Sequence, residues 1–238
     1  MKIVSWNCKM VPPYDKEGFT EEKANAIGKY NADIYVIQEC TNYDIEKLKR
    51  FKKNNVWYGD DLDSKYGIGL FSDVFDIKIL EEHNHEFRYI VPYKIYNENI
   101  EFTIFSVWIK PISGNYEKHL YDAVEYYRNK KIFDSHSIFI GDFNTFAKDD
   151  KSLNILEEKM YPLVNCTRDK PSLRKIPTYY HSENNMGVDD FCFVSKDIIN
   201  KFEMDINIPD EWDDKKDKDH HWNGLSDHSP IIITIELR

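Results

Sequence analysis

The chain has 238 residues, of which 41% are hydrophobic and 15% aromatic, and its formal net charge is −10. This composition indicates a globular protein with a sizeable core and excludes a disordered chain; we expect one domain over residues 1–238. The negative charge argues against binding to nucleic acid through a broad basic surface. A local basic groove or a bound cation is compatible with it.

Short apolar runs rich in β-branched and aromatic residues predict strands along the whole chain. In chain order they are Lys2–Cys8, Asp33–Gln38, Tyr66–Phe71, Phe87–Tyr96, Ile100–Ile109, Ser137–Ile140, Val188–Val194 and Ile231–Leu237. Amphipathic stretches predict helices at Thr20–Tyr30, Tyr43–Phe51, Tyr116–Lys130 and Lys151–Met160. This mixture predicts mixed sheets with helices packed outside them. The polar run 205–223 is predicted to be a long surface loop.

The N-terminal and cysteine patterns are those of a protein from a reducing compartment. The chain enters a strand pattern at once, without a leader pattern. No stretch approaches the ~20 apolar residues of a membrane span. The four cysteines form no CxxC pair and are predicted to be free thiols. We expect a cytoplasmic protein without a membrane span, and a monomer.

In the segment SIFIGDFNTF, Asp142 and Asn144 leave a buried strand together. Residues alternate faces along a strand, so both side chains point the same way. A carboxylate there can hold a metal, a water or a substrate hydroxyl, and an amide can donate to a phosphate oxygen. Taken alone, GDFN has a simpler interpretation as a turn, because Gly, Asp and Asn all favour turns.

Polar side chains stand at four other strand ends, where each alone also fits a cap, a helix start or a turn. They are Asn7, Glu39, the pair Asp189 and Asp190, and the pair Asp227 and His228. Parallel strands bring their C-terminal ends to one edge of a sheet, and a final antiparallel strand brings its N-terminal end there. We therefore expect a convergent, oxygen-rich cluster, which suits Mg²⁺ or Mn²⁺ rather than zinc.

In order and spacing, these motifs resemble the endonuclease/exonuclease/phosphatase superfamily, which includes DNases, abasic-site endonucleases, inositol polyphosphate phosphatases and neutral sphingomyelinases. The resemblance rests on SWN at 5–7, QE at 38–39, GDFN at 141–144, DDF at 189–191 and SDHSP at 226–230. It implies an α/β (α+β) fold: a four-layered sandwich with two mixed β-sheets face to face and helices outside. It also implies phosphoester hydrolysis with a divalent cation.

The resemblance implies a metal site built from three residues. Glu39 is similar to the family's main metal carboxylate, and Asn7 supports that site. Asp227 stands where the family places a second acid near the metal.

It also implies a catalytic group. Asp142 is similar to the residue that orients or deprotonates the attacking water, and Asn144 to a phosphate and water ligand. His228 is similar to the histidine that faces the scissile phosphate. Asp190 aligns with the acid that holds this histidine. Asp189 is the alternative residue for that role.

Two positions depart from the family pattern: Val188 stands where an arginine is frequent, and Trp108 where many members carry a histidine or tyrosine. We expect Trp108 and Tyr180 to contact substrate together with Asn144, because aromatic rings can stack on bases. Core tyrosines on a strand are an equally good interpretation of the segment around Tyr180.

Two other histidine pairs lie outside these motifs. His83 and His85, in EEHNHEFRY, could share a metal ion, but no third ligand is near in sequence, and a solvated hairpin is the simpler interpretation. His220 and His221 are expected on the surface, in the charged loop.

The leading hypothesis is a Mg²⁺- or Mn²⁺-dependent phosphodiesterase, and in particular a nuclease that cleaves DNA or RNA by in-line attack of an activated water. The alternative within phosphoester chemistry is a phosphatase or phosphodiesterase of a small molecule or lipid headgroup, which the acidic balance keeps open. A third hypothesis is a non-catalytic binding module. The chemically competent residues at every proposed catalytic position argue against it.

Overall fold

Strands dominate the described part of the computed structural model, which covers residues 1–8, 20–41, 52–59, 66–110, 114–144, 150–168, 178–182, 185–209 and 225–238. The strands are β1 Lys2–Asn7, β2 Ile34–Thr41, β3 Asn54–Gly59, β4 Tyr66–Ser72, β5 Asp76–Ile79, β6 Ile90–Tyr96, β7 Glu101–Trp108, β8 Ser137–Asp142, β9 Val164–Asn165, β10 Tyr179–Ser182, β11 Asn185–Gly187, β12 Asp190–Val194, β13 Phe202–Asn207 and β14 Ile231–Leu237. The helices are α1 Glu21–Gly28, α2 Tyr116–Asn129, α3 Asp150–Met160 and α4 Lys196–Lys201, with a 3₁₀ turn at His85–Phe87. None of these helices is long and apolar enough to cross a bilayer.

Two six-stranded mixed sheets form the frame of the protein. The first has the order β13-β14-β1-β2-β4-β3, and the second the order β5-β6-β7-β8-β12-β9. The pairs β1–β2 and β7–β8 are parallel, and the other neighbouring pairs are antiparallel. Strands β10 and β11 form a separate two-stranded sheet. Mixed sheets were expected from the alternation of strand and helix patterns, and this prediction is confirmed.

The inner faces of the two sheets share one core. Strand β1 contacts β8, and β2 contacts both β7 and β8. Inward-facing residues such as Ile3, Val36, Ile104 and Ile140 are fully buried there. Burial of apolar surface on this scale is the main favourable contribution to folding.

Helices α2 and α3 cover the outer face of the second sheet. Tyr127 of α2 and Met160 of α3 are fully buried in a cluster with Phe105 and Phe139. The two phenylalanine rings, from the parallel neighbours β7 and β8, stack with centroids 3.9 Å apart. Sheets face to face with helices outside therefore match the expected layering.

Several element boundaries differ from the predicted ones. Strand β2 continues past Gln38 to Thr41, and β6 begins at Ile90 because residues 85–87 form the 3₁₀ turn. Asp190 is the first residue of β12, and Asp189 precedes it. The predicted helix Tyr43–Phe51 lies outside the described residues.

Five strands were missed in the sequence, namely β3, β5, β9, β11 and β13, and β10 was expected only as one of two interpretations of the segment around Tyr180. Strands β3, β5 and β13 lie at sheet edges, where only part of each residue is covered, so the apolar alternation is weak. The prediction of a surface loop over 205–223 was wrong at its start, since residues 205–207 belong to β13 and pair with β14. Residues 210–224 lie outside the described part of the chain.

Strand β8 ends with an unusually close approach to its neighbours. Gly141 has a φ of +139°, and a Cβ added there would lie 2.1 Å from the carbonyl oxygen of Val107 and 2.8 Å from Nε2 of Gln38. Both the backbone conformation and the space exclude a side chain. The glycine of GDFN is therefore required for β8 to carry Asp142 to the end of the sheet.

We expect Gly141→Ala to lower the free energy of unfolding by about 3 kcal/mol or more, because it combines a steric clash with an unfavourable φ. Urea denaturation measures the loss. Gly114→Ala is the matched control: its φ is also positive, at +67°, but no atom of the described residues lies within 4 Å of the added Cβ. The control should lose only about 1 kcal/mol. Equal losses in the two variants would contradict the close approach.

Candidate active site

The strand register brings the predicted polar residues to one edge of the two sheets. Asn7 at the end of β1 pairs with Gln38 of the parallel strand β2, directly before Glu39. In the second sheet, β12 runs antiparallel to β8, so its first residue, Asp190, lies opposite Asp142. The expected convergence therefore follows from the ends of parallel strands and the start of an antiparallel one.

A β-bulge directs the side chain of Glu39. The register between β2 and β4 shifts between Gln38 and Cys40, and Glu39 itself has a φ of +54°. Non-glycine residues adopt this conformation at a cost, and bulges commonly re-aim one side chain. Here Nδ2 of Asn7 donates to Oε1 of Glu39 at 3.1 Å.

Asp142 lies at the centre of the site and is 1% exposed. Its Oδ2 accepts hydrogen bonds from Nδ2 of Asn7 at 2.9 Å and from Nδ2 of Asn144 at 3.0 Å. Its Oδ1 accepts from the backbone N–H of Asn144 at 2.8 Å. Asn144 has a φ of +47° and also donates from Nδ2 to the carbonyl oxygen of Ile109 at 3.1 Å. The GDFN segment is thus both a tight turn and the holder of a buried carboxylate.

His228 lies between two carboxylates. Its Nδ1 is 2.9 Å from Oδ2 of Asp190, and its Nε2 is 3.9 Å from Oδ2 of Asp142. Asp190 is therefore the hydrogen-bonding partner, in agreement with the alignment that favoured it over Asp189. The carbonyl oxygen of Asp189 instead accepts from the backbone N–H of Phe143 at 2.8 Å, which ties the start of β12 to the GDFN turn.

The backbone around His228 is fixed to the end of β1. Nε1 of Trp6 donates to the carbonyl oxygen of His228 at 2.9 Å. The hydroxyl of Ser226 accepts from the backbone N–H of His228 at 3.0 Å and donates to the carbonyl oxygen of Asn7 at 2.7 Å. The serine of SDHSP therefore positions the histidine, a role that the sequence alone did not reveal.

Burial and mutual charge shift the acid–base properties of the site. Burial raises the pKa of Asp142 well above its usual value, while the positive charge of His228 acts in the opposite direction. Burial alone would lower the pKa of His228, but the charges of Asp190 and Asp142 outweigh it and raise that pKa well above its usual value. The arrangement favours a cationic imidazole beside a basic carboxylate.

Tyr179 is a site residue that the sequence analysis did not select. It pairs with His228 through an isolated β-bridge, and the two rings lie with centroids 4.9 Å apart. Burial and the charges of neighbouring carboxylates, Asp227 first among them, raise the pKa of Tyr179 to about 12. Its phenol therefore stays protonated at neutral pH and can act as a hydrogen-bond donor.

A second residue that the sequence analysis missed is Thr178. Its hydroxyl accepts hydrogen bonds from the backbone N–H groups of Asp189 and Asp190, at 3.0 and 3.1 Å. A threonine that precedes a predicted strand has no distinguishing sequence signal.

The remaining predicted site residues are Asp227, Trp108 and Tyr180, and each lies differently with respect to the cluster around Asp142. Asp227 directly precedes His228 and is 8% exposed; its charge acts on His228. Trp108 pairs with Asp142 across β7 and β8, but it is 4% exposed and packs on Tyr89, which leaves little of its ring for a substrate. Tyr180 lies in β10, and its side chain is outside the described part of the structure.

The donor set fits a magnesium ion. Mg²⁺ is usually held by one or two carboxylates together with waters and substrate phosphates, rather than by a full cage of protein ligands. Glu39, with the amide of Asn7 beside it, offers such a set of hard oxygen donors. Within the described residues no group of three His, Cys, Asp or Glu side chains is arranged as a metal cage.

No family model matches the chain, and no curated protein matches its sequence. Solved structures do match over nearly the full length. The endonuclease domain of TRAS1, a telomere-specific non-LTR retrotransposon, aligns with a TM-score of 0.68 at 16% identity and covers 99% of this chain and 98% of that one. The chain has the DNase-I-like fold of the endonuclease/exonuclease/phosphatase proteins.

Two further structures with this fold are similar to the chain. An AP endonuclease from Archaeoglobus fulgidus has a TM-score of 0.67 at 13% identity, with 100% of both chains covered. The 3′ phosphatase NExo from Neisseria, bound to a product DNA hairpin, has a TM-score of 0.65 at 16% identity, with 99% of both chains covered. At these identities the likeness establishes the endonuclease/exonuclease/phosphatase fold alone.

The buried Asp189 predicts a pH-dependent stability. Burial raises its pKa to about 6, with the charge of His228 opposing this shift, whereas an unfolded aspartate titrates near 3.9. Ionisation therefore costs more in the folded protein, and stability falls as the pH rises from about 4 to about 6. Relative to wild type, Asp189→Asn should gain about 2–3 kcal/mol of unfolding free energy between pH 4 and pH 7, measured by urea denaturation with chelator present.

Asp197→Asn is the control with the opposite sign. Burial would raise the pKa of Asp197, but hydrogen bonds from Ser195 and His136 hold that pKa below its usual value. Its carboxylate stabilises the fold above pH 4 and loses that effect as the pH falls. Asp197→Asn should therefore become less stable than wild type as the pH rises. The same pH trend in both variants would contradict the assignment of Asp189.

Proposed function

We propose that the protein is a metal-dependent phosphodiester hydrolase, and specifically a nuclease. The observation that carries the proposal is the buried Asp142 carboxylate, which lies between the Asn7–Glu39 pair and the cationic His228. A base, a metal carboxylate and a cation within one cluster are the groups that hydrolysis of a phosphodiester by water requires.

Asp142 is the proposed base that orients and deprotonates the attacking water. Its raised pKa brings the carboxylate closer to the pH range in which a general base works best. The two amides of Asn7 and Asn144 hold it in one orientation, so that little reorganisation is needed during the reaction.

His228 is the proposed phosphate contact, and Asn144 is proposed to contact the attacking water, because both N–H groups of its amide already donate to Ile109 and Asp142. Protonated His228 offsets the negative charge that accumulates on the phosphoryl oxygens, and Asp190 fixes its ring and sustains its charge. Glu39, supported by Asn7 and with Asp227 near, would hold Mg²⁺ or Mn²⁺. When bound, the ion supplies Lewis-acid polarisation of the phosphate and stabilises the leaving oxyanion.

The structural relatives favour a nucleic-acid substrate over a small phosphoester. They include proteins described as endonucleases and a phosphatase bound to a DNA hairpin. The net charge of −10 favours the second candidate, a phosphatase or phosphodiesterase of a small molecule or lipid headgroup, because it weakens general attraction for a polyanion.

We expect Asp142→Asn and His228→Ala each to lower kcat by about 10²–10⁴-fold on bis(p-nitrophenyl) phosphate with Mg²⁺, since each removes a group that acts on the reacting phosphate. His136→Ala is the matched control, because His136 lies before the first residue of β8, at the opposite end of the strand from Asp142. Turnover that stays at the wild-type level in both site variants would remove this mechanism.

A substrate panel separates the two candidate functions. Oligonucleotides and p-nitrophenyl phosphate are incubated with wild-type protein in Mg²⁺, in Mn²⁺ and in chelator. The nuclease proposal expects cleavage of oligonucleotides that requires the divalent ion, and little release of phosphate from the monoester. Rapid release from the monoester with intact oligonucleotides would support the small-substrate candidate instead.

A further inference from the structure

A continuous series of side-chain rings leads away from the candidate active site. We call Trp108, Tyr89, Tyr58, His83 and His85 the ring row. Trp108 lies beside Asp142 in the β7–β8 register. The centroid distances along the row are 4.4 Å from Trp108 to Tyr89, 6.3 Å from Tyr89 to Tyr58, 4.6 Å from Tyr58 to His83 and 5.0 Å from His83 to His85.

The ring row is built from both sheets. Tyr89 and Trp108 belong to the second sheet and the segment before it, where the backbone N–H of Trp108 donates to the carbonyl oxygen of Tyr89 at 2.9 Å. Tyr58 comes from β3 of the first sheet. His83 and His85 come from the turn between β5 and β6. Tyr58 and Gln38 both pair with Ile68 of β4, and Trp108 pairs with Asp142, so the row lies at the edge where the polar cluster lies.

Exposure increases along the row. Trp108 and Tyr89 are buried, Tyr58 and His83 are half-buried, and His85 is exposed. The inner rings thus pack beneath the outer ones and support them, and the rings at the outer end have surface that a ligand can contact. Nζ of Lys110 lies 5.1 Å from the centroid of the Trp108 ring, so a positive charge lies beside the inner end of the row.

The outer rings have the chemistry of a stacking surface. Burial lowers the pKa of His83 to about 4, so its imidazole is neutral at pH 7. Its Nε2 is 3.2 Å from the carbonyl oxygen of Arg88, which fixes the proton on that nitrogen. The hydroxyl of Tyr58 lies 3.1 Å from Nδ1 of His85. These contacts hold the rings in place with little conformational entropy left to lose on binding.

We propose that the outer end of the ring row, formed by Tyr58, His83 and His85, is a subsite for a nucleobase of the substrate strand. The proposal rests on the proposed function and names its substrate class as an oligonucleotide that reaches beyond the scissile phosphate. Aromatic rings stack on any base without reading its hydrogen-bonding edge, so the subsite binds without strong sequence preference. This mode of binding also needs no broad basic surface.

A metal site is the competing interpretation of the two histidines. Within the described residues no third His, Cys, Asp or Glu completes a cluster with them. One ring nitrogen of His83 and one of His85 are already in contact with Arg88 and Tyr58. The geometry therefore favours a stacking surface.

Binding measurements test the subsite independently of catalysis. Fluorescence anisotropy gives the Kd of a labelled thymidine oligonucleotide of about 12 nucleotides in chelator, which prevents cleavage, and of an abasic oligonucleotide of the same length. Wild-type protein should bind the oligonucleotide that carries bases more tightly. His85→Ala should weaken that binding by about 5- to 150-fold, the range expected for loss of a stacked ring, with no change for the abasic strand.

His85→Phe is the matched variant, because it keeps a ring but removes the imidazole nitrogens. It should bind within about threefold of wild type, a difference below the ~1 kcal/mol expected for a stacked base, and His136→Ala should bind as wild type does. The subsite would be overturned if wild-type protein bound the two oligonucleotides equally, or if His85→Ala bound with wild-type affinity. It would also be overturned if His85→Phe and His85→Ala lost affinity equally, which would indicate contacts specific to the imidazole, such as a metal. Hydrolysis of bis(p-nitrophenyl) phosphate by wild-type protein tests the proposed function separately.

Discussion

The burial of one carboxylate, that of Asp142, organises the rest of the site. A carboxylate that is 1% exposed loses its hydration, and the fold must replace that hydration with donors and a counter-charge. Asn7 and Asn144 supply the donors, and His228 supplies the charge. Each of these partners comes from a different part of the chain, so the requirement to solvate Asp142 links both sheets at one edge.

The same requirement explains the unusual backbone conformations at this edge. Gly141, Glu39 and Asn144 all have positive φ values, and they lie on either side of the polar cluster. Strain of this kind persists only where the surroundings over-determine it. Here the packing between the sheets and the hydrogen bonds to Asp142 provide that constraint. At this edge the unusual backbone conformations are therefore those that aim side chains into the site, while the strands below them are regular and apolar.

The sequence predicts the fold and the site best at positions where the chemistry allows only a few residue types. Alternation along β8 and the direction of the parallel strands were sufficient to predict that Asp142, Asn7 and His228 converge. The bulge at Glu39 and the position of Tyr179 were not predictable, because both depend on register between strands distant in sequence. The edge strand β13 was missed in the sequence because only one of its residues is buried, so its apolar pattern is weak. Core positions accept many apolar residues, which is consistent with a shared fold at 13–16% identity.

A net negative chain can bind a polyanionic substrate if positive charge acts at the reacting phosphate and ring stacking acts on the rest of the strand. For the proposed reaction, cations are needed only at His228 and beside Glu39, and a divalent ion there would reverse the sign of the local field. Affinity for the rest of the strand would then come from aromatic rings such as Tyr58 and His85, whose stacking depends weakly on salt. On this view the net charge limits non-specific attraction, and the edge of the two sheets selects a strand by its bases and its reacting phosphate together.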